Sequence, residues 1–187
     1  MGYDEKIFKA KANIKARRLW LVFAILLTAN YGTDTANGAY SVSNYIIFVI
    51  LCWLPFVCGD ILLKRKGKDN DHYRLAFVIG YGIFYVFLLC TTTSPIAFTY
   101  ILPIISLIVI FKDEKFMIYC AVANMLSLIA SIAFHIFVLG QNTAIDHKNF
   151  QLQIACLLLC YIGYIMSVRH LTESDAALTE SIKSDLN

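Results

Sequence analysis

The chain has 187 residues, of which 59% are hydrophobic and 16% charged, and its mean hydropathy is +0.65. Soluble domains hold about 45–50% apolar residues, so this composition argues against a water-soluble core. The formal net charge of +3 gives no warrant for nucleic-acid binding, because nearly all the basic residues lie in gaps between apolar runs, where membrane topology accounts for them.

In chain order, residues 1–18 form a basic segment with Lys6, Lys9, Lys11, Lys15, Arg17 and Arg18. Apolar runs follow at 19–31, 45–63, 75–90, 96–111, 116–139 and 150–168. Most approach the ~20 residues that a ~30 Å hydrocarbon layer demands of a helix. The first run follows a basic segment as a secretory leader would, but no convincing small-residue cleavage site comes after Leu27, and it is read as a retained helix. The second gap carries Lys64, Arg65, Lys66, Lys68 and Arg74, the fourth Lys112 and Lys115, and the tail Arg169 and Lys183. The first, third and fifth gaps together offer only Lys148. Basic loops stay on the cytoplasmic side, so the sequence predicts an all-α, polytopic membrane protein with six transmembrane helices and both termini inside. Three segments are expected: a cytoplasmic basic segment at 1–18, a six-helix membrane domain at 19–170, and the start of a cytoplasmic signalling helix at 171–187.

Within the bundle, Pro55 and Pro103 are expected to interrupt their helices, each removing a backbone hydrogen bond. Gly80, Gly82 and Gly163 read as points of close helix contact. Cys52, Cys58, Cys90, Cys120, Cys156 and Cys160 all fall inside apolar runs, where a thiol packs as a small hydrophobe. Cys156 and Cys160 share a helix face, but functional thiols want an electropositive, partly exposed setting. No metal site and no cofactor are expected.

A membrane enzyme needs paired carboxylates, a metal set or an activated nucleophile at bilayer depth, and the ionisable residues inside the runs reduce to Asp60 and His135. Asp60 is expected to pair with Lys64 one turn on. His135 reads as a ligand or proton sensor, or more simply as a neutral imidazole hydrogen-bonded inside the bundle. No catalytic residue follows. Polar residues near the outer helix ends are the better candidates for recognition: Asn30, Asp34 and Asn37 after the first helix, Asn44 and Tyr45 at the start of the second, Ser94 and Tyr100 at the fourth and Gln151 and Gln153 at the sixth, with His135 toward the outer end of the fifth and Asn124 deeper in it. Gln151 and Gln153 point to different faces of one helix, so one of them faces protein. With 14% aromatic residues, these donors and acceptors have walls for a small-molecule pocket, or else serve as interfacial anchors and interhelical hydrogen bonds.

After Val168 the chain turns polar but keeps helix formers, with Leu171, Leu178 and Ile182 spaced by seven and four and Asp175 and Leu186 four from them. This places an apolar stripe on a helix continuous with the sixth crossing. Such a helix can hand a shift or rotation of the bundle to an output module by repacking, and Leu171, Leu178 and Ile182 are its transmission residues.

The strings Thr93-Ser94-Pro95-Ile96-Ala97-Phe98-Thr99-Tyr100-Ile101-Leu102-Pro103, Leu159-Cys160-Tyr161-Ile162-Gly163-Tyr164 and His170-Leu171-Thr172-Glu173-Ser174-Asp175-Ala176-Ala177-Leu178-Thr179 resemble the membrane-sensor region of a group of bacterial methyl-accepting chemotaxis proteins. The resemblance runs from about Asn44 onward. It implies signal transduction in the inner membrane and a homodimer or higher array. It also implies an adaptor and a histidine kinase as partners, reached only through a downstream coiled-coil module absent from these residues. Glu173 and Glu180 lie seven apart but too near the membrane for methylation sites. The alternative expectation is a small-molecule-binding subunit of a vitamin-uptake transporter. Such subunits dock a partner through an Ala-x-x-x-Ala stripe, which the first apolar run does not show, since Ala24 and Ala29 are five apart.

Overall fold

A computed structural model describes residues 2–92 and 94–185. Thr93, from the first of the strings above, and Leu186 of the tail stripe lie outside the described residues. Among the described residues six α-helices run α1 (Gly2–Ala36), α2 (Val42–Lys66), α3 (His72–Thr91), α4 (Leu102–Ile108), α5 (Glu114–Phe137) and α6 (Ala144–Asp185), with short 3₁₀ turns at Ala97–Ile101 and Val109–Phe111. No strand occurs among the described residues. The protein is therefore all-helical, and α2, α3, α5 and α6 are each long and apolar enough to cross a membrane.

Those helices are apolar on more than one face. On α2, Phe48, Cys52, Phe56, Gly59 and Leu63 are buried, while Ile46, Ile50, Leu54, Val57 and Ile61 are exposed at the same helical spacing on the other side. A helix apolar all round suits apolar surroundings, and the exposed row is apolar enough to meet lipid. The first and fourth runs differ from the others. α1 absorbs the basic N-terminal segment into one helix, so its apolar stretch is flanked by charge within the same element. The fourth run is a shorter apolar segment, Ala97–Phe111. Its five and three residues of 3₁₀ helix at ~2.0 Å each, with seven of α-helix at ~1.5 Å, make it roughly 26 Å long. Pro103 does not interrupt this helix: it occupies the first turn of α4, where a missing N–H costs nothing. Pro55 does lie inside α2.

The chain divides into two compact units, Met1–Thr92 and Thr93–Asn187. In the first, α2 packs against both α1 and α3. The contact face of α1 is Ala12, Ala16, Trp20 and Ala24, all buried and each four residues apart; alanines let the helices approach closely, and Trp20 fills the space left, edge-on to Phe56 (5.8 Å) and Phe77 (4.7 Å). Between α2 and α3 the helices meet tightly at Gly80, where an added Cβ would stand 2.2 Å from Cβ of Pro55. Gly59 makes a second such point, against the Tyr73 ring at 3.0 Å. Gly82 and Gly163 correct the sequence expectation: a Cβ on either meets nothing within 4 Å, because both sit on outward faces.

In the second unit α6 packs against α5 and α4. The α5 stripe is Met117, Cys120, Asn124, Leu128, Ser131 and His135, and α6 answers with Gln153, Leu157, Tyr161 and Val168. α5 is capped by Asp113, whose carboxylate accepts from the backbone N–H of Phe116 at 3.0 Å. α6 opens on a reciprocal pair, the Asp146 N–H donating to Thr143 Oγ1 (3.2 Å) and the Thr143 N–H to Asp146 Oδ2 (2.9 Å).

Candidate functional site

The sequence-proposed recognition residues separate into several environments. Asn44 and Tyr45 lie in the first turn of α2, where the Asn44 backbone N–H is taken by the N-cap Ser41 hydroxyl at 3.2 Å. Tyr45 borders an open groove of about 560 Å³ with Thr28, Ala29, Gly32, Thr33 and Trp53. Trp53 Nε1 donates to Thr28 Oγ1 across it at 2.9 Å. Beside the groove, Tyr31 stacks on Tyr40 (4.3 Å) and Phe48 (4.2 Å), and Tyr40 and Thr92 share a hydrogen bond of 3.0 Å. This aromatic stack was not singled out from the sequence, although the Tyr residues at 31, 40 and 45 were its signal.

In the second unit, Asn124 is buried and its side-chain amide donates to the Tyr161 hydroxyl, joining α5 to α6 at mid-helix. His135 is buried near the end of α5, with Nδ1 2.9 Å from Gln141 Oε1 and its ring beside Phe150. Of the glutamines that open α6, Gln151 is exposed; Gln153 is the one that faces protein, donating to the Pro95 carbonyl at 2.9 Å. Ser94 is exposed and Tyr100 half-buried. Asn124 and His135 thus serve interhelical or local hydrogen bonds. Among the described residues no cluster of His, Cys, Asp and Glu is placed to hold a metal ion.

The ionisable groups are organised at two places. In the first unit Asp60 pairs with Lys64 at 3.2 Å as its spacing predicted, and also with Arg17 of α1, which sequence reasoning missed because 43 residues separate them. The Arg17 guanidinium also lies over the Phe56 ring at 5.8 Å. Nearby, both N–H bonds of the buried Asn13 side chain are used, on the carbonyls of Lys68 (2.9 Å) and Asn70 (3.0 Å). Lys9 bridges Asp71 and Glu5, each at 3.1 Å, and Asp71 and then Glu5 hold its ammonium above the ordinary lysine range.

In the second unit α6 runs unbroken for 42 residues, about 63 Å at ~1.5 Å per residue. Where its apolar run ends, it is tied to the turn between Phe111 and α5. Arg169 Nε donates to Glu114 Oε1 at 3.0 Å, and Lys112 pairs with Asp175. Lys112 sits in the left-handed backbone region, φ 49°, which turns the chain sharply between the 3₁₀ turn and α5. From this collar onward the stripe is exposed: Leu171, within it, is 39%, and Leu178 and Ile182, beyond it, are 62% and 52% exposed.

Comparison with protein-family models, with curated proteins and with solved structures finds no match to this chain.

Proposed function

We propose that the protein is a membrane-embedded signal-input domain of the chemotaxis-receptor kind, with six crossings and both termini cytoplasmic, in which the bundle's state leaves along α6. The observation that carries this reading is the continuity of α6 through the apolar run into a polar helix with an exposed stripe at Leu171, Leu178 and Ile182. The Arg169–Glu114 and Lys112–Asp175 pairs support it mechanically: they grip α6 within two turns, so a movement of the α4–α5 turn becomes a rotation or shift of the helix beyond. In heptad terms Leu171 and Leu178 take one core position and Asp175 and Ile182 the other, while Glu173 and Glu180 fall on the outer face.

Such an output helix works as a pair. A photo-crosslinking amino acid at Leu178 or Ile182 of the full chain, in its own membranes, should yield a covalent homodimer, and the same group at Glu180 should not. Equal yields at Glu180, or no dimer at any of the three positions, would sink the reading. The second reading, a small-molecule-capture subunit of a transporter, is favoured by the groove beside Tyr45, Thr28 and Trp53. It predicts a ligand that survives purification together with a monomeric tail. The buried Ala12, Ala16 and Ala24 stripe does not help it, since that face is already spent against α2.

A further inference from the structure

Arg17, Arg18, Lys64 and Lys68 converge on one pocket of about 600 Å³, with Asp60 the single acidic group in its lining. The pocket is built rather than accidental. Arg17 is fixed by Asp60 and by the Phe56 ring beneath it. Lys68 is placed by the Asn13 clamp on its carbonyl and by Gly67, which ends α2 at φ 95°, a conformation that favours glycine. Arg18 and Lys68 have no ion-pair or hydrogen-bond partner for their side chains among the described residues, so the pocket holds a surplus of positive charge. The carbonyl end of α2 opposes an anion here, which makes the four cations the reason one would bind. Just beyond the pocket the surface becomes apolar: Val22 and Leu26 continue the Arg18 face of α1, and Ile61 and Val57 continue the Lys64 face of α2, all four exposed.

We propose that this pocket binds a phosphate group, supplied by the headgroup of an anionic phospholipid whose acyl chains lie along the exposed Val22 and Ile61 flank. Lysine and arginine recognise phosphate through charge-assisted hydrogen bonds. A basic side chain close to an anionic membrane surface gains roughly fivefold in affinity. This inference does not rest on the signalling reading and would hold equally for a transporter subunit.

The test uses the full chain in a neutral detergent, with thermal unfolding followed as phosphatidylglycerol, phosphatidylcholine or inorganic phosphate is added. Phosphatidylglycerol should stabilise the protein and phosphatidylcholine should not. The Arg18→Gln, Lys68→Gln double variant should need roughly 30-fold more phosphatidylglycerol for the same shift, and Arg18→Gln alone about fivefold more. Both side chains are exposed, so folding is not at stake. An Arg65→Gln, Lys66→Gln variant removes equal charge from the adjacent helix end outside the pocket and should bind as the unaltered protein does. Equal losses in the two double variants would show a diffuse basic surface and overturn the site, as would the lack of any preference for phosphatidylglycerol. If inorganic phosphate at millimolar concentration stabilises as well as the lipid does, and R18Q/K68Q abolishes both effects, the phosphate site stands and its source is the free ion.

Discussion

Replacing Gly80 by alanine tests the packing of the first unit most directly. The new Cβ would stand 2.2 Å from Pro55 Cβ and 2.9 Å from Pro55 Cγ, whereas non-bonded carbons rest at about 3.5–4.0 Å. A separation of roughly 1.5 Å must therefore be found. No rotamer provides it, because alanine has none and the proline ring is fused to its own backbone. Overpacking of this kind costs about 1–3 kcal/mol, and with both partners rigid the upper end is expected, offset by the ~1 kcal/mol that alanine gains over glycine in a helix. Gly82→Ala carries the same propensity gain and meets nothing within 4 Å, so the two variants should differ by about 3 kcal/mol. At ~2–4 °C per kcal/mol for a chain of this size, that is roughly 6–12 °C in Tm. With the exposed or partly exposed Cys58, Cys90, Cys156 and Cys160 replaced by alanine, a thiol-reactive fluorophore can follow unfolding in detergent, since Cys52 and Cys120 are buried in the folded protein. Pro55→Gly in the Gly80→Ala background removes the opposing Cβ and should recover more stability than the sum of the single effects predicts. The reasoning fails if Gly80→Ala unfolds at the same temperature as Gly82→Ala, or if the double variant shows no coupling.

Three other outcomes follow from single contacts. Lys112→Gly and Lys112→Ala both abolish the pair with Asp175, but only glycine relieves the left-handed backbone, so the glycine variant should be the more stable by about 1 kcal/mol in the same unfolding assay. Asn13→Ala removes two hydrogen bonds to the 68–70 loop; a loss of about 1–2 kcal/mol and faster proteolysis after Lys68 are expected, with unchanged cleavage counting against the clamp. Tyr161→Phe deletes the acceptor of the buried Asn124 amide and should destabilise by about 0.6 kcal/mol, typical of interhelical hydrogen bonds in membranes, and by at most about 1.7 kcal/mol. A Tyr161→Phe protein as stable as the parent would mean that Asn124 finds another partner.

Much of the fold could be read along the chain because its main signals are local. An apolar run long enough to cross a bilayer and a stripe at seven and four in the tail depend only on neighbours in sequence, and α2, α3, α5 and the unbroken α6 lie where those signals put them. The Asp60–Lys64 pair was legible for the same reason, being one helical turn apart. The candidate site was less so. Arg17 on Asp60, Asn13 on the 68–70 loop, Asn124 on Tyr161 and Lys112 on Asp175 join residues 37 to 63 positions apart, and no periodicity foretells which polar groups will meet. Gln151 and Gln153 show the limit closely: the sequence requires that they face apart, and packing against Pro95 decides which of them is buried.

By itself, then, the sequence determined that the chain is helical, that its long apolar helices suit a membrane, and that α6 carries its stripe beyond the apolar run, because solvation and backbone hydrogen bonding act residue by residue along each helix. Only the tertiary structure decided which faces are spent. Gly80 is a contact point and Gly82 is not, Pro103 starts a helix rather than breaking one, and Arg18 and Lys68 are left facing a pocket while Arg17 is held by Asp60. Those outcomes depend on which helices meet and at what rotation, which is set by complementary shape and paired charge between segments distant in the chain.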